Sequence, residues 1–190
     1  MSPFEFVTVL ISIILGLGIT QIMSGVADLI HQWDKVRLYW PHMLWVVLVF
    51  ILHVQEWWLL YQLKSITVWQ LPMFLFQVLY PICLFILARI LFPMPTEANA
   101  TDMKTYYLDS YRKLFIMVMI LSVLSALENI FVHHLGGEGW YTNLGLFVVL
   151  LVLVIRQTMT EKEHKSLAIL LLAIMIISIS YNINEWLITN

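Results

Sequence analysis

Charge is scarce in this chain. Asp, Glu, Lys and Arg make up 12% of its 190 residues, about half the share usual in a water-soluble domain. Hydrophobic residues make up 61%, and the mean hydropathy is +0.87. So little polar surface cannot screen so much apolar surface from water, which excludes a soluble globular domain and turns the excess toward lipid. Cysteine is almost missing. Cys83 stands alone in an apolar run, which excludes an intrachain disulfide and a cysteine-built metal cluster and leaves it the role of a small apolar side chain. A basic surplus is missing too: the net charge is −2, no nucleic-acid module is recognisable, and nucleic acid is not an expected partner.

Several signatures of membrane function are also absent. No Lys is embedded in an apolar stretch, which excludes a retinal Schiff base, and no Arg ladder suggests a voltage sensor. There is no TVGYG-like filter, no phosphate-binding Gly loop and no His-Glu-x-x-His zinc motif. The pair of Glu-x-x-His motifs that a di-iron bundle needs is lacking. The polar connections are too short for a catalytic domain, so the sequence leans away from an enzyme and names no cofactor. Residues 1–20 have no basic residue ahead of the apolar run and no small-x-small cleavage pattern. The first run is therefore expected to be a retained anchor rather than a signal peptide.

What remains is a set of long hydrophobic runs. A bilayer core of about 30 Å needs about 20 apolar residues in a helix. Six stretches reach that length, at approximately 4–29, 39–62, 67–92, 112–134, 139–159 and 166–188. The expected fold is all-α: a polytopic membrane protein forming one domain over 1–190, a bundle of six transmembrane helices. The punctuation agrees, with a polar His31–Arg37 connection, a tight turn at Lys64–Ser65, a long Pro93–Tyr111 loop, Gly136-Gly137-Glu138-Gly139, and a charged turn at Glu161–Lys165. Pro41 suits the first turn of a helix, whereas Pro81 falls inside a span and should free a backbone carbonyl there. Ser2-Pro3-Phe4-Glu5 has capping-box spacing, which makes Glu5 a cap.

Nine basic residues (Lys35, Arg37, Arg89, Lys104, Arg112, Lys113, Arg156, Lys162 and Lys165) belong to connections one, three and five with their adjoining helix ends. Lys64 alone lies on the other side. By the positive-inside rule both termini are expected on the non-cytoplasmic face of a plasma or inner membrane. Trp57, Trp58, Trp69, Trp140 and Trp186 then mark the outer interface, and Trp33, Trp40 and Trp45 the inner one. The Asn99-Ala100-Thr101 sequon falls in a cytoplasmic loop, where glycosylation is not expected.

Ionisable groups inside hydrocarbon cost at least about 2.5–3.5 kcal/mol each at mid-membrane, so their positions are informative. The outer half collects His53, Gln55, Glu56, Glu128, Asn129, His133, His134, Asn182, Asn184 and Glu185, while the inner half is mostly aliphatic. Each even-numbered span carries one Glu near its outer end, Glu56, Glu128 or Glu185, with His53, Ser125 or Asn182 three residues earlier on the same helical face. The pattern suggests three repeated helical hairpins. His42, Val49, His53 and Glu56 form one stripe, Ser122, Asn129 and His133 a second, and Ser178, Asn182, Glu185 and Thr189 a third. Span one has small residues at Gly16, Thr20, Ser24 and then Asp28, with Gly18 and Gly25 nearby, a face suited to close helix packing within the chain or to an oligomer. Asp28 is expected to pair with Lys35 or Arg37.

Three functions stay open. In the first, Glu56, His53, Glu128, Asn129, His133, Asn182 and Glu185 form an outer site of a proton or small-cation channel or transporter. In the second, the same groups hold helices together in a non-catalytic subunit, scaffold or homo-oligomer. In the third, His53 with His133 or His134 ligates haem or a metal, with His42 three turns away on the same helix face.

Overall fold

A computed structural model describes residues 2–66, 68–93, 102–131, 140–156 and 158–181. Its elements are all helical: α1 (Pro3–His31), α2 (Trp40–Leu59), a 3-10 continuation (Leu60–Ser65), α3 (Leu71–Ile90), α4 (Met103–Phe131), α5 (Trp140–Ile155) and α6 (Glu161–Tyr181). Among the described residues there is no strand, only an isolated bridge between Arg37 and Asp102.

The helix starts follow from local chemistry. At α1 the Ser2 N–H donates to Glu5 Oε2 at 2.8 Å and the Glu5 N–H to Ser2 Oγ at 3.2 Å, so Glu5 is a cap. Pro41 sits in the first turn of α2 and Pro81 inside α3. The charged turn expected at Glu161–Lys165 is instead the first turn of α6. Thr160 N–H donates to Glu163 Oε2 at 2.7 Å and Glu163 N–H to Thr160 Oγ1 at 3.4 Å, a second reciprocal cap that starts the helix before the apolar run begins. α4 also starts earlier than the expected 112. Met103, Tyr107, Tyr111 and Leu114 are all buried at helical spacing, so packing, not hydropathy, sets where it begins.

Five of these helices are long and apolar enough to cross a membrane: α1, α2 with its continuation, α3, α4 and α6. The exception is α5, whose 16 residues rise about 24 Å, less than a typical hydrocarbon core. Large apolar side chains such as Phe6, Ile13, Leu17, Leu75, Val152 and Ile177 point outward, as the lipid-facing surface of an integral membrane protein requires.

The second helix is the hub, packing against α1, α3, α4 and α6. Its stripe of His42, Trp45, Val49, His53 and Glu56 is buried for that reason. The backbone of the fifth helix lies close to α4 and that of α6 to α2, and the α5 and α6 backbones do not approach each other closely among the described residues. The first helix turns Val7, Ile11, Leu15, Gly18, Ile22, Gly25 and Leu29 inward at spacings of three or four. Its close approaches are at Gly18, where a side chain would overlap the His53 ring, and at Gly25, where it would overlap the Phe92 ring.

The small-residue face predicted for intrachain packing, Gly16, Thr20, Ser24 and Asp28, points the other way. All four residues are exposed, and nothing lies within 4 Å of the Gly16 Cβ position. The apolar stripe, with the larger area to bury, takes the bundle side instead. Asp28 makes no ion pair with Lys35 or Arg37 among the described residues.

Candidate functional site

The C-terminal end of α2, the N-terminal half of α3, the C-terminal end of α4 and the start of α5 meet at one end of the bundle. There they enclose a chamber of about 220 Å³ whose wall includes Gln55, Glu56, Gln77, Tyr80, Glu128 and Asn143. Ser125 and Asn129 also line it, with Leu52, Leu59, Leu60 and Leu63 as its apolar part. Each polar residue arrives there by helical phase. Glu56 ends the buried stripe of α2, Glu128 and Asn129 lie on the last described turn of α4, and Gln77 is one turn before Pro81. Pro81 has no N–H, so the helical donor that the Gln77 carbonyl would otherwise receive is missing.

Glu56 is buried at 7% exposure and Glu128 is half-buried. Both side chains line the same chamber. The Gln77 amide nitrogen donates to Glu128 Oε1, which ties α3 to α4. Its amide oxygen is buried with no hydrogen-bond partner, although the residue is only 3% exposed. On the α5 side, Ser122 Oγ donates to the Asn143 carbonyl at 2.6 Å and the Asn143 amide donates to Ser125 Oγ at 3.1 Å. The arrangement is two carboxyl groups with amide and hydroxyl side chains around a space large enough for a ligand. It can take up positive charge or N–H donors, and it repels anions.

Of the residues expected at an outer site, the structure brings together Glu56, Glu128 and Asn129. It sets His53 apart. That ring is fully buried against Gly18 of α1, its Nδ1 donating to the Val49 carbonyl at 2.8 Å, and it does not line the chamber. His133, His134, Asn182, Glu185 and the sequon lie outside the described residues. The sequence reading passed over Gln77, Tyr80 and Asn143, all on odd-numbered helices. Gln77 and Asn143 were visible as uncharged polar residues within apolar runs, but attention went to ionisable groups on even-numbered spans.

A second polar group lies at the opposite end, where the sequence suggested mainly aliphatic packing. His42 Nε2 donates to the Leu91 carbonyl at 2.7 Å, and His164 Nδ1 is 3.1 Å from the Tyr107 hydroxyl. Tyr39, Tyr106, Tyr107, Phe92 and Tyr111 surround the two rings, mostly edge to face. His42 is thus held by a backbone carbonyl and aromatic edges. Among the described residues no three His, Cys, Asp or Glu side chains gather as a metal site would require.

Comparison with protein-family models, with curated proteins and with solved structures finds no match to this chain.

Proposed function

We propose that this protein is a six-span channel or transporter for protons or small cations, with Glu56 and Glu128 as the charged groups of its outer site. The observation that carries the reading is the meeting of these two carboxylates, from separate helices, in one chamber of about 220 Å³. Two carboxylates facing each other in a low-dielectric site are costly unless something positive lies between them. A structural role alone would be served as well by neutral amides.

The six-span topology draws support from the Lys104–Glu161 ion pair at 2.9 Å, which holds the start of α6 beside the start of α4. The short α5 must then carry the chain back across the bundle. Lys35, Arg37, Arg89, Lys104, Arg156, Lys162 and Lys165 belong to connections or helix ends gathered by that pair, by the Met103 N–H to Arg37 carbonyl bond at 3.1 Å, by the Tyr106 hydroxyl to Ile90 carbonyl bond at 2.7 Å and by the Arg156–Glu163 pair at 2.6 Å, while Arg112 and Lys113 lie further along α4. The positive-inside rule turns that end toward the cytoplasm and the chamber outward. Equivalent positions of Glu56 and Glu128 in successive hairpins are what an internal repeat would produce.

A packing role for the same groups has its own support, because Gln77–Glu128 and Ser122–Asn143–Ser125 join helices. Reconstitution separates the two. Purified protein in liposomes is expected to pass protons or a monovalent cation. Glu56→Gln and Glu128→Gln should reduce that flux to the level of protein-free vesicles while leaving thermal stability equal or higher. Flux that survives both substitutions, or its absence from the wild type together with a lower melting temperature in the variants, would overturn the transport reading in favour of packing.

A further inference from the structure

We propose that the groove between α1 and the end of α2 seats an anionic phospholipid, its phosphate at Lys64 and one acyl chain against Trp57 and Trp58. Such a site stands or falls independently of whether the chamber carries cations.

The groove has a volume of about 200 Å³ and lies between Phe4, Thr8 and Ser12 of α1 and Trp57, Trp58 and Tyr61 on the other wall. Short side chains at Thr8 and Ser12 leave the space that the large rings do not fill. Thr8 Oγ1 donates to the Phe4 carbonyl at 2.9 Å, so its hydroxyl is satisfied within its own helix. Trp57 is 53% exposed and the other five residues are half-buried, so the groove opens on the lipid-facing surface of the bundle. From Phe4 to Ser12 it follows α1 for eight residues, or about 12 Å.

One end of this apolar groove carries a cation. Lys64 Nζ donates to the hydroxyl of Tyr61, a wall residue, at 3.3 Å, and lies 5.2 Å from the centroid of that ring. Lys64 is exposed and pairs with no carboxylate among the described residues. Glu5, on the α1 side, is turned back onto the Ser2 N–H at 2.8 Å. Tyr61 and Lys64 lie in the last turns of a helix long enough to span a bilayer, the depth at which aromatic rings meet lipid head groups.

Depth and charge together select the occupant. A free anion gains nothing from the aromatic walls, and an uncharged lipid gains nothing from Lys64. A zwitterionic phospholipid brings its own ammonium to the lysine, where like charges repel. A phospholipid with net negative charge satisfies Lys64 with its phosphate and removes its chain and the groove walls from one another's exposed surface.

The test is fluorescence quenching in phosphatidylcholine vesicles containing phosphatidylglycerol, with brominated acyl chains on one lipid or the other. The contribution of Trp57 and Trp58 is the difference from Trp57→Phe/Trp58→Phe in each background. Phosphatidylglycerol should quench that contribution at about fivefold lower mole fraction than phosphatidylcholine, the ratio given by ~1 kcal/mol for a lysine at a membrane surface. Lys64→Gln should remove the preference. Thr8→Phe and Ser12→Phe, which fill the groove from two turns of α1, should each remove it too. Equal quenching by the two lipids in the wild type would overturn the proposal. So would a preference that survives Lys64→Gln, because the anionic lipid would then be held elsewhere. A preference lost in Lys64→Gln but kept in both groove variants is attraction to the surface without a seated chain, and also overturns it.

Discussion

The two ends of this bundle bury polar side chains in different ways. At the cytoplasmic-facing end in our reading, His42 Nε2 holds a carbonyl and Tyr107 meets a His164 ring nitrogen among aromatic edges, while His42 Nδ1, Tyr39 Oη and Trp45 Nε1 are buried without a hydrogen-bond partner. At the other end Glu56 and Glu128 line open space, and the Gln77 oxygen is left without a donor. Both ends bury polar groups, and both leave some of them without a hydrogen-bond partner. What separates them is space. The packed end fills its surroundings with aromatic rings, while the two carboxylates border a chamber with room for water or a ligand.

That comparison predicts opposite responses to substitution. The largest effect belongs to the packed end. Tyr107 is 1% exposed and touches Tyr39, His42 and His164. Tyr107→Ala should cost about 3–5 kcal/mol of stability, read as a lower melting temperature in detergent, with flux per folded molecule unchanged. If Tyr107→Ala alters ion selectivity while the melting temperature stays put, the packed end is a working site and the distinction collapses.

His53 lies between the two regions along α2 and decides where the boundary falls. Its ring is fully buried with no room to retreat, and a methyl at Gly18 would overlap it. Gly18→Ala should therefore cost about 1–3 kcal/mol by overpacking. Combining it with His53→Ala should recover part of that loss, so the two substitutions are non-additive in a double-mutant cycle. Additive losses would show that His53 does not rest on Gly18 and would return it to the list of chamber residues.

The sequence made the overall class legible because lipid leaves a strong signature: apolar runs of the right length and basic residues concentrated in alternate connections. The α2 stripe was legible for a related reason, since a fixed helical period carries His42, Val49, His53 and Glu56 to one face whatever they meet. What they meet was not legible. Glu56 and Glu128 are far apart in sequence and share a chamber only because α3 packs between α2 and α4, a tertiary fact that no period encodes. His53 shows the same limit. It lies on the buried face of α2 as expected, but it packs against Gly18 and does not line the chamber. The Gly16–Asp28 face is not used for packing within the chain, which leaves its oligomer reading untouched. Small residues permit close approach without requiring it, and the larger apolar stripe of α1 took the bundle side. The helices α4 and α6 begin ahead of their apolar runs because tyrosines and a threonine–glutamate cap extend a helix without raising its hydropathy.

The smallest effect is expected where charges are most conspicuous. The Lys104–Glu161 and Lys165–Glu161 pairs, at 2.9 and 2.7 Å, draw the eye at the packed end, yet all three side chains are substantially exposed. Water and salt screen such pairs, and ordering two long side chains offsets much of the attraction. Lys104→Gln should leave the melting temperature unchanged at low and high ionic strength alike. The aromatic and histidine contacts just inside would then be what closes this end. A clear, salt-dependent loss of stability in Lys104→Gln would instead make the ion pairs the clasp between α4 and α6. The contrast between the ends would then be one of two charged regions rather than of a packed region and an open one.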